Sequence, residues 1–393
     1  MIDVLDKDKC TGCAACYNIC PTKAIDMVYS TDGFLCPSID KDKCIKCNLC
    51  EKICPILSKK EDFGERYSIP KVKVAWSLDE DIRLNSTSGG IFSELAIKFI
   101  ENNGFVAGAV YNNSFLVEHY ITNKKEDIAR LRQSKYVQSD KKNIYFLVKE
   151  LLENNKQVMF VGAPCEVAGL YCFLQKRYNN LLTVDFICLG ASSVKVYKKF
   201  LDMLKEKYHG DIKKVWFKNK TQGWNLFSTK VEFTNGKSYL RNRFYDYFMR
   251  GYIGKNKFYV RKVCTQCKYK GFPRVADISL GDFWGAWRIN HELDDNKGTS
   301  AVILNSEAGR IFFDKLDKAR IKEENRKIED VLAGNMALTK CVILDPERKN
   351  FFIDLDEMRF DKLIGKYCPY TIKDEIKLLW IMLKRKFNII KRL

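Results

Sequence analysis

Histidine is scarce in this 393-residue chain: only His119, His209 and His291 occur, far apart. That spread argues against a metal site built on histidines and against a Ser-His-Asp hydrolase. No window reaches the ~18 consecutive apolar residues that a membrane-spanning helix needs. The opening residues, Met1-Ile-Asp-Val-Leu-Asp-Lys-Asp, lack the basic and apolar regions of a signal peptide. A cytoplasmic protein is expected. Acidic residues are the minority charge, 49 against 68 basic ones, for a net +19. No helix-turn-helix or RNA-binding signature accompanies that excess, so nucleic acid is not an expected partner. The charge instead suits phosphorylated cofactors, acidic redox partners or anionic lipid. Internal repeats and low-complexity tracts are missing too, apart from one paired motif.

That motif is made of cysteine, which is plentiful at 16 residues. It reads Cys10-Thr-Gly-Cys13-Ala-Ala-Cys16-Tyr-Asn-Ile-Cys20-Pro21, then Cys44-Ile-Lys-Cys47-Asn-Leu-Cys50-Glu-Lys-Ile-Cys54-Pro55. Each half is the C-x₂-C-x₂-C-x₃-C-P run of a bacterial two-cluster ferredoxin. Three thiolates on one tight loop face three irons of a cubane, and the fourth reaches the other cluster. Cys10, Cys13, Cys16 and Cys54 are therefore expected to hold one 4Fe–4S cluster, and Cys44, Cys47, Cys50 and Cys20 a second. A zinc ribbon would use separated Cys pairs instead. Each cluster with its thiolates carries about −2, which leaves the protein basic.

Five segments follow from the patterning. Residues 1–57 form the ferredoxin module, with a hairpin of Ala24–Tyr29 and Phe34–Asp40 across Thr31-Asp32-Gly33. Cys36 lies on it outside ligand spacing and is read as a buried thiol. Residues 58–72 are a charged linker. Residues 73–207 alternate strand and helix patterns, and 208–345 turn more β-rich. Residues 346–393 end in a basic amphipathic helix from Ile372. The fold class is α/β (α+β overall): a bacterial-type two-cluster module, then a mixed α/β body.

Two expected strands in the body each run into a cysteine. Gln157–Gly162 leads to Cys165, and Leu182–Ile187 to Cys188. Sites in open α/β sheets lie beyond the carboxyl ends of the strands. If the two strands are parallel neighbours, both thiols enter one crevice. Cys264-Thr-Gln-Cys267 adds a CxxC. The four thiols fit a third 4Fe–4S cluster, a zinc site, or thiols unrelated to one another. Ser88-Gly89-Gly90 before a helix suits an anion such as a cofactor diphosphate, or is an ordinary cap. Lys135-Tyr136-Val137-Gln138-Ser139 carries charge and hydrogen-bonding groups for the same ligand. Asp277 through Gly285, with Gly281-Asp282-Phe283-Trp284, reads as the wall of a ring-binding pocket or as a core turn.

These motifs together resemble one family, the coenzyme F420 hydrogenase/dehydrogenase β subunits, with both the N- and C-terminal domains of that family. The resemblance runs from about Val72 to Ser306. It is carried by Ser88-Gly89-Gly90, Ser134 to Ser139, Gly162-Ala-Pro164-Cys165, Cys188-Leu-Gly190 and Phe217 to Trp224. The Cys264-x-x-Cys267 segment through Arg274 and Asp277, and Gly281 to Gly285, complete it. The resemblance implies FAD beside a 4Fe–4S cluster, making Cys165, Cys188, Cys264 and Cys267 a third cluster site. It places Ser88, Gly89, Gly90, Lys135, Tyr136, Gln138 and Ser139 near the FAD. The Lys-rich sequence looks most like bacterial members found among polysaccharide genes, so coenzyme F420 is not assumed.

The expected function is an iron–sulfur flavoprotein oxidoreductase acting on a small-molecule substrate. The rival reading is a relay subunit that docks to a partner enzyme. Ferredoxin or another enzyme subunit is the expected redox partner. Tyr136 and Asp282 are the candidates for proton transfer. The basic helix suggests peripheral contact with the inner face of a membrane, or docking on the body or on a partner.

Overall fold

Each Cys run turns back on itself at a matched residue. Ala14 and Asn48 follow the second Cys of their runs, and both take the left-handed backbone conformation (φ 63° and 58°). Each then opens a short helix, Ala15–Ile19 or Leu49–Lys52. The two halves of the module therefore share one loop geometry. Between them, β1 (Ile25–Tyr29) and β2 (Leu35–Ile39) pair antiparallel, as the turn chemistry predicts. Gly33 (φ 77°) makes that turn, where a side chain would collide with Lys195 of the body. The computed structural model describes residues 2–58, 63–254 and 257–390, the last seven by their backbone alone. Linker positions 59–62, residues 391–393 and the tail side chains from Lys384 onward, including Lys384, Arg385, Lys386 and Phe387, lie outside the described residues.

The body is a mixed α/β structure around an eight-stranded sheet. Its strands are β3 (Lys71–Ser77), β4 (Phe105–Tyr111), β5 (Val117–Thr122), β6 (Val158–Val161) and β7 (Leu181–Phe186). After a small three-stranded antiparallel sheet of β8 (Ile212–Asn219), β9 (Ser228–Phe233) and β10 (Ser238–Asn242), the chain returns. It then adds β11 (Ile278–Asp282), β12 (Ser300–Leu304) and β13 (Ile321–Arg326). The order is β13-β3-β12-β11-β7-β6-β4-β5. The four central strands β11, β7, β6 and β4 run parallel, and antiparallel strands close both edges. One sheet thus draws on both sequence segments 73–207 and 208–345.

The central strands are apolar because helices cover both faces. Val158, Met159 and Phe160 of β6 are fully buried. Ile91, Leu95 and Phe99 of the helix Ile91–Glu101 pack on one side. Tyr145, Val148, Val167 and Leu170, from helices Ile144–Glu153 and Pro164–Leu174, pack on the other. The small sheet has its own core, in which Phe200, Phe217, Phe248, Tyr259 and Phe351 join rings. The expected parallel pairing of β6 with β7 is present, joined by the helix Pro164–Leu174.

Two strands had no sequence counterpart. β11 lies inside the segment expected to be a pocket wall or core turn; it is a sheet strand instead, and Asp282 ends it at the cavity. β13, Ile-Lys-Glu-Glu-Asn-Arg, is a charged edge strand, held by pairing with β3 and by the Lys73–Glu323 ion pair (3.2 Å). Edge position explains its polarity, because only one face meets the core. No helix among the described residues is long and apolar enough to cross a membrane. The terminal helix Ile372–Ile390 forms as expected.

Candidate functional site

Cys10, Cys13, Cys16 and Cys54 are all buried and line one small cavity with Ile2, Leu5, Pro37 and Pro55. Burial pushes the thiols of Cys13 (to about 12), Cys16 and Cys54 upward; Cys54 and Cys10 raise Cys13 further, and Cys13, Cys10 and Cys54 raise Cys16. Cys10 is the exception, drawn down to about 6 by a hydrogen bond from Cys36 and by Arg261. Four crowded thiols, three of which resist ionisation, suit a cationic iron core, which offsets their charge. Of the second set, Cys20 and Cys50 join the same apolar cluster as Ile25 and Ile39, Cys44 is half-buried and Cys47 is exposed.

In the body, the β6 and β7 ends deliver two thiols as the topology demands. Cys165 sits in the first turn of the helix Pro164–Leu174, and Cys188 lies just past β7. Cys264 and Cys267 come from the turn Lys262–Gln266. All four line one cavity of about 920 Å³. They feel one another: burial pushes Cys188 up to about 12, and Cys264 and Cys267 add to it. Burial likewise raises Cys165, with Glu166, Cys188 and Cys264 adding to it. Among the described residues no three His, Cys, Asp or Glu side chains close on one point as a lone metal ion requires.

The two thiol sets touch through short links. The Gly169 backbone, one turn beyond Cys165, lies so close to Cys13 that a Cβ there would sit 2.8 Å from the Cys13 Cβ. Arg261 donates to the carbonyls of Cys10 (2.6 Å) and Leu35 (3.0 Å) and to Cys36 Sγ (3.1 Å). On the other side of the CxxC, Lys268 donates to the carbonyl of Pro55. The CxxC segment is thus pinned at both ends to the loops that carry Cys10 and Cys54.

The residues assigned to flavin by resemblance divide in two. Ser88, Gly90, Lys135, Tyr136, Gln138 and Ser139 line the same cavity. Gly89 lies behind it, where a Cβ would come 2.5 Å from the Ala75 carbonyl. Ser88 donates to the Thr299 carbonyl (2.6 Å), and Lys135 donates to the carbonyls of Leu131, Arg132 and Gln133. Gln138 accepts from Leu35 N–H (2.9 Å), while its buried Nε2 has no partner among the described residues. Tyr136 stands edge-on to Phe217 and Tyr252. Asp282 pairs with Lys218 and accepts from Trp224 Nε1 (3.1 Å). The volume falls within the ~300–1,000 Å³ of cofactor sites. The unpaired Gln138 amide and the apolar rings suit a flavin ring, whereas Lys135 and Lys218 are already satisfied.

Sequence reasoning missed a buried polar group beside Cys165. Glu166 accepts from Ala163 N–H (2.8 Å), forms an ion pair with Lys141, and faces His119 Nε2 at 3.9 Å. His119 Nδ1 meets Ser139 Oγ at 2.7 Å. Burial pushes His119 down to about 4. The signal available was Glu166 at the third position of a helix behind Pro164, a capping pattern. Arg261 carried no signal, standing as one of 68 basic residues.

This is the fold and thiol pattern of an iron–sulfur redox protein, and comparison with known proteins specifies it. Residues 9–57 match the 4Fe-4S dicluster domain. Residues 155–329 match the family described as the C terminus of the coenzyme F420 hydrogenase/dehydrogenase beta subunit. A curated relative, one of the subunits of the F(420)H(2) dehydrogenase of Methanosarcina mazei, is 23% identical over 355 residues. That alignment covers 86% of this chain and 90% of the relative. A chain of the F420-reducing [NiFe] hydrogenase complex from Methanosarcina barkeri aligns over 80% of this chain and 97% of its own length, at 18% identity and a TM-score of 0.46.

Proposed function

We propose that this protein is an oxidoreductase carrying two ferredoxin clusters, a third 4Fe–4S cluster on Cys165, Cys188, Cys264 and Cys267, and FAD, and that it reduces or oxidises a small organic substrate. One observation carries the reading. Four thiols from three chain segments wall a cavity that is pinned, through Arg261, Lys268 and Gly169, to the loops of the first ferredoxin site. Bound clusters would supply single electrons, and a bound flavin would convert them to two-electron chemistry. The chain's own residues supply the rest. Burial raises the Tyr136 phenol, so it stays protonated and can give a proton into the cavity. Lys218 would lose charge on burial alone, but Asp282 and Tyr136 outweigh that and hold it charged. A relay subunit that docks to a larger enzyme is the second reading, favoured by the name of the dehydrogenase relative, which describes one part of a larger assembly. For the C-terminal helix we infer a resting place on an anionic membrane surface.

The test is Cys264→Ser in anaerobically purified protein. A hydroxyl is a poor ligand for iron where a thiolate is needed. The variant should lose about one cluster's worth of iron, keep the ferredoxin signals, and exchange electrons with flavin far more slowly. Cys172→Ser, a half-buried thiol away from the cavity, should do neither. Full iron in Cys264→Ser removes the ligand assignment. Wild-type protein without flavin returns the protein to the relay reading.

A further inference from the structure

Two cations beside the ferredoxin loops have carboxylates of their own. Lys262 pairs with Asp8 (2.7 Å) and Arg348 with Asp32 (2.8 Å). Arg261 pairs with no carboxylate among the described residues, although it is only 3% exposed. Its backbone is fixed on the body side. Its N–H donates to the Ala191 carbonyl (2.9 Å), and its carbonyl accepts from Cys264 N–H (3.0 Å). Its side chain crosses to the first Cys loop, over the Phe34 ring at 5.5 Å. Gly12 makes room there, since a Cβ on it would lie 2.6 Å from Arg261 Nη1. Gly12 N–H donates to Cys10 Sγ (3.3 Å), and Cys36 hydrogen-bonds to the same sulfur. Arg261 Nη2 donates in turn to Cys36 Sγ (3.1 Å). One guanidinium is therefore linked through one non-ligand thiol to one expected iron ligand.

A buried cation without a counter-charge is costly, and the thiolates of a bound cluster supply that charge. Gain of one electron takes a 4Fe–4S centre with its four thiolates from about −2 to about −3. Burial opposes that gain, whereas a fixed positive charge and hydrogen bonds to the sulfurs favour it. The four thiols of the first site are all buried, while Cys47 of the second is exposed to water. We propose that Arg261, held through Cys36 against Cys10, raises the reduction potential of the first ferredoxin cluster and so keeps this buried site reducible. Neither residue ligates iron. Arg261 does for the first site what water does for the second. The inference rests on the ferredoxin clusters of the redox reading, and not on the body cluster, the flavin or the substrate.

The test is a mediated dithionite titration of full-length, anaerobically purified protein at fixed pH, followed by EPR, with iron measured for every sample. Arg261→Gln should lower one ferredoxin midpoint by about 59 mV, which is tenfold in a one-electron equilibrium, and leave the other ferredoxin midpoint in place. The sign separates charge from structure, because a loosened module admits water and would move the midpoint up. Arg261→Lys keeps the charge without the fork and should recover most of the shift. Cys36→Ala should lower the same midpoint by less, and Cys36→Ser, which still offers a donor, should restore it. The proposal is overturned by an unmoved or raised midpoint in Arg261→Gln, by an equal fall of both midpoints, or by an Arg261→Lys midpoint as low as that of Arg261→Gln. If Arg261→Gln sheds iron, the Cys36 variants decide, and equal midpoints in Cys36→Ala and Cys36→Ser overturn it. Wild-type protein without ferredoxin iron would overturn the redox reading as well, whereas full iron with unshifted midpoints removes only this inference.

Discussion

Cys10, Cys13 and Cys16 share one loop, whereas Cys165, Cys188, Cys264 and Cys267 meet only because β6 and β7 run parallel and a distant turn folds over their ends. The first arrangement is local. Its geometry comes from left-handed turns at Ala14 and Asn48 and from short helices. The second is a property of the sheet, so anything that loosens the sheet should dissolve the body site and spare the ferredoxin loops.

The sharpest way to break this contrast is at the Arg274–Asp185 pair, which is buried almost completely at 2.9 Å. Arg274 also donates to Ser279 Oγ and the Tyr269 carbonyl, tying β7, β11 and the CxxC segment together. Arg274→Met leaves the buried Asp185 without its counter-charge, which should cost roughly 3–5 kcal/mol. Denaturant titration should show that loss. Iron and EPR analysis should show the body cluster gone and both ferredoxin clusters present. Parallel loss of all the clusters would show that the module depends on the sheet as much as the body site does.

A second test uses pH. His119 is buried with its folded pKa near 4, below the usual 6.5, because burial disfavours its charged form. The unfolded chain therefore binds more protons between these values. Stability from this group is full above pH 6.5 and falls as pH drops toward 4, by up to ~3 kcal/mol. His119→Gln should flatten the stability profile in that window, measured by thermal melts at pH 4.5 to 7.5. An unchanged slope would mean that His119 stays charged against Glu166.

The same contrast explains what was legible in the sequence. Tandem Cys runs place three of each expected ligand set on one loop, so both expected sets could be written down from spacing. Cys165 and Cys188 were legible one step later, because apolar runs ending in Cys imply strand ends. The hairpin at Thr31-Asp32-Gly33 was legible from turn chemistry. β13 was not, because an edge strand of Lys, Glu and Arg carries no apolar period. The His119–Glu166–Lys141 group was hidden because its members lie on separate elements and meet only after β5 and β6 join the sheet through β4. Lys135 and Ser88 were read as ligand contacts, yet their polar atoms are spent on carbonyls. Which way a side chain turns is a tertiary outcome that local pattern does not carry.

A smaller effect is expected where the two regions join. Arg261 makes three hydrogen bonds to the ferredoxin loops, and Asp32 is held by Arg348 at 2.8 Å. Arg261→Gln should keep all the iron but loosen the module. Hydrogen exchange should rise at Leu35 and Cys36, and electron passage between the two thiol regions should slow severalfold. Unchanged exchange at these amides would show that Gly169 and Lys268 suffice to seat the module.

The smallest effect on stability, and none on iron, is expected at the C-terminal helix. Leu378 is its buried contact with the body, and Tyr370 OH donates to Glu375 while stacking on Tyr245 at 4.7 Å. At about 100° per residue, Ile372, Ile376, Leu379 and Leu383 fall on a different face from Leu378. They stay exposed, with Trp380 beside them. Docking on the body therefore leaves the apolar stripe uncovered. Lys373 and Lys377 lie to one side of it and Glu375 to the other, and a basic helix with an exposed apolar stripe settles into an anionic lipid interface. Full-length protein should co-sediment with vesicles rich in phosphatidylglycerol and not with purely zwitterionic ones. Truncation after Tyr370 should abolish binding. The double substitution Leu379→Asp and Leu383→Asp should do so as well, without changing iron content or melting temperature. Equal sedimentation of the full-length and truncated proteins would assign membrane binding, if any, to the basic body. Loss of stability in the double variant would show that the stripe is covered by the protein itself.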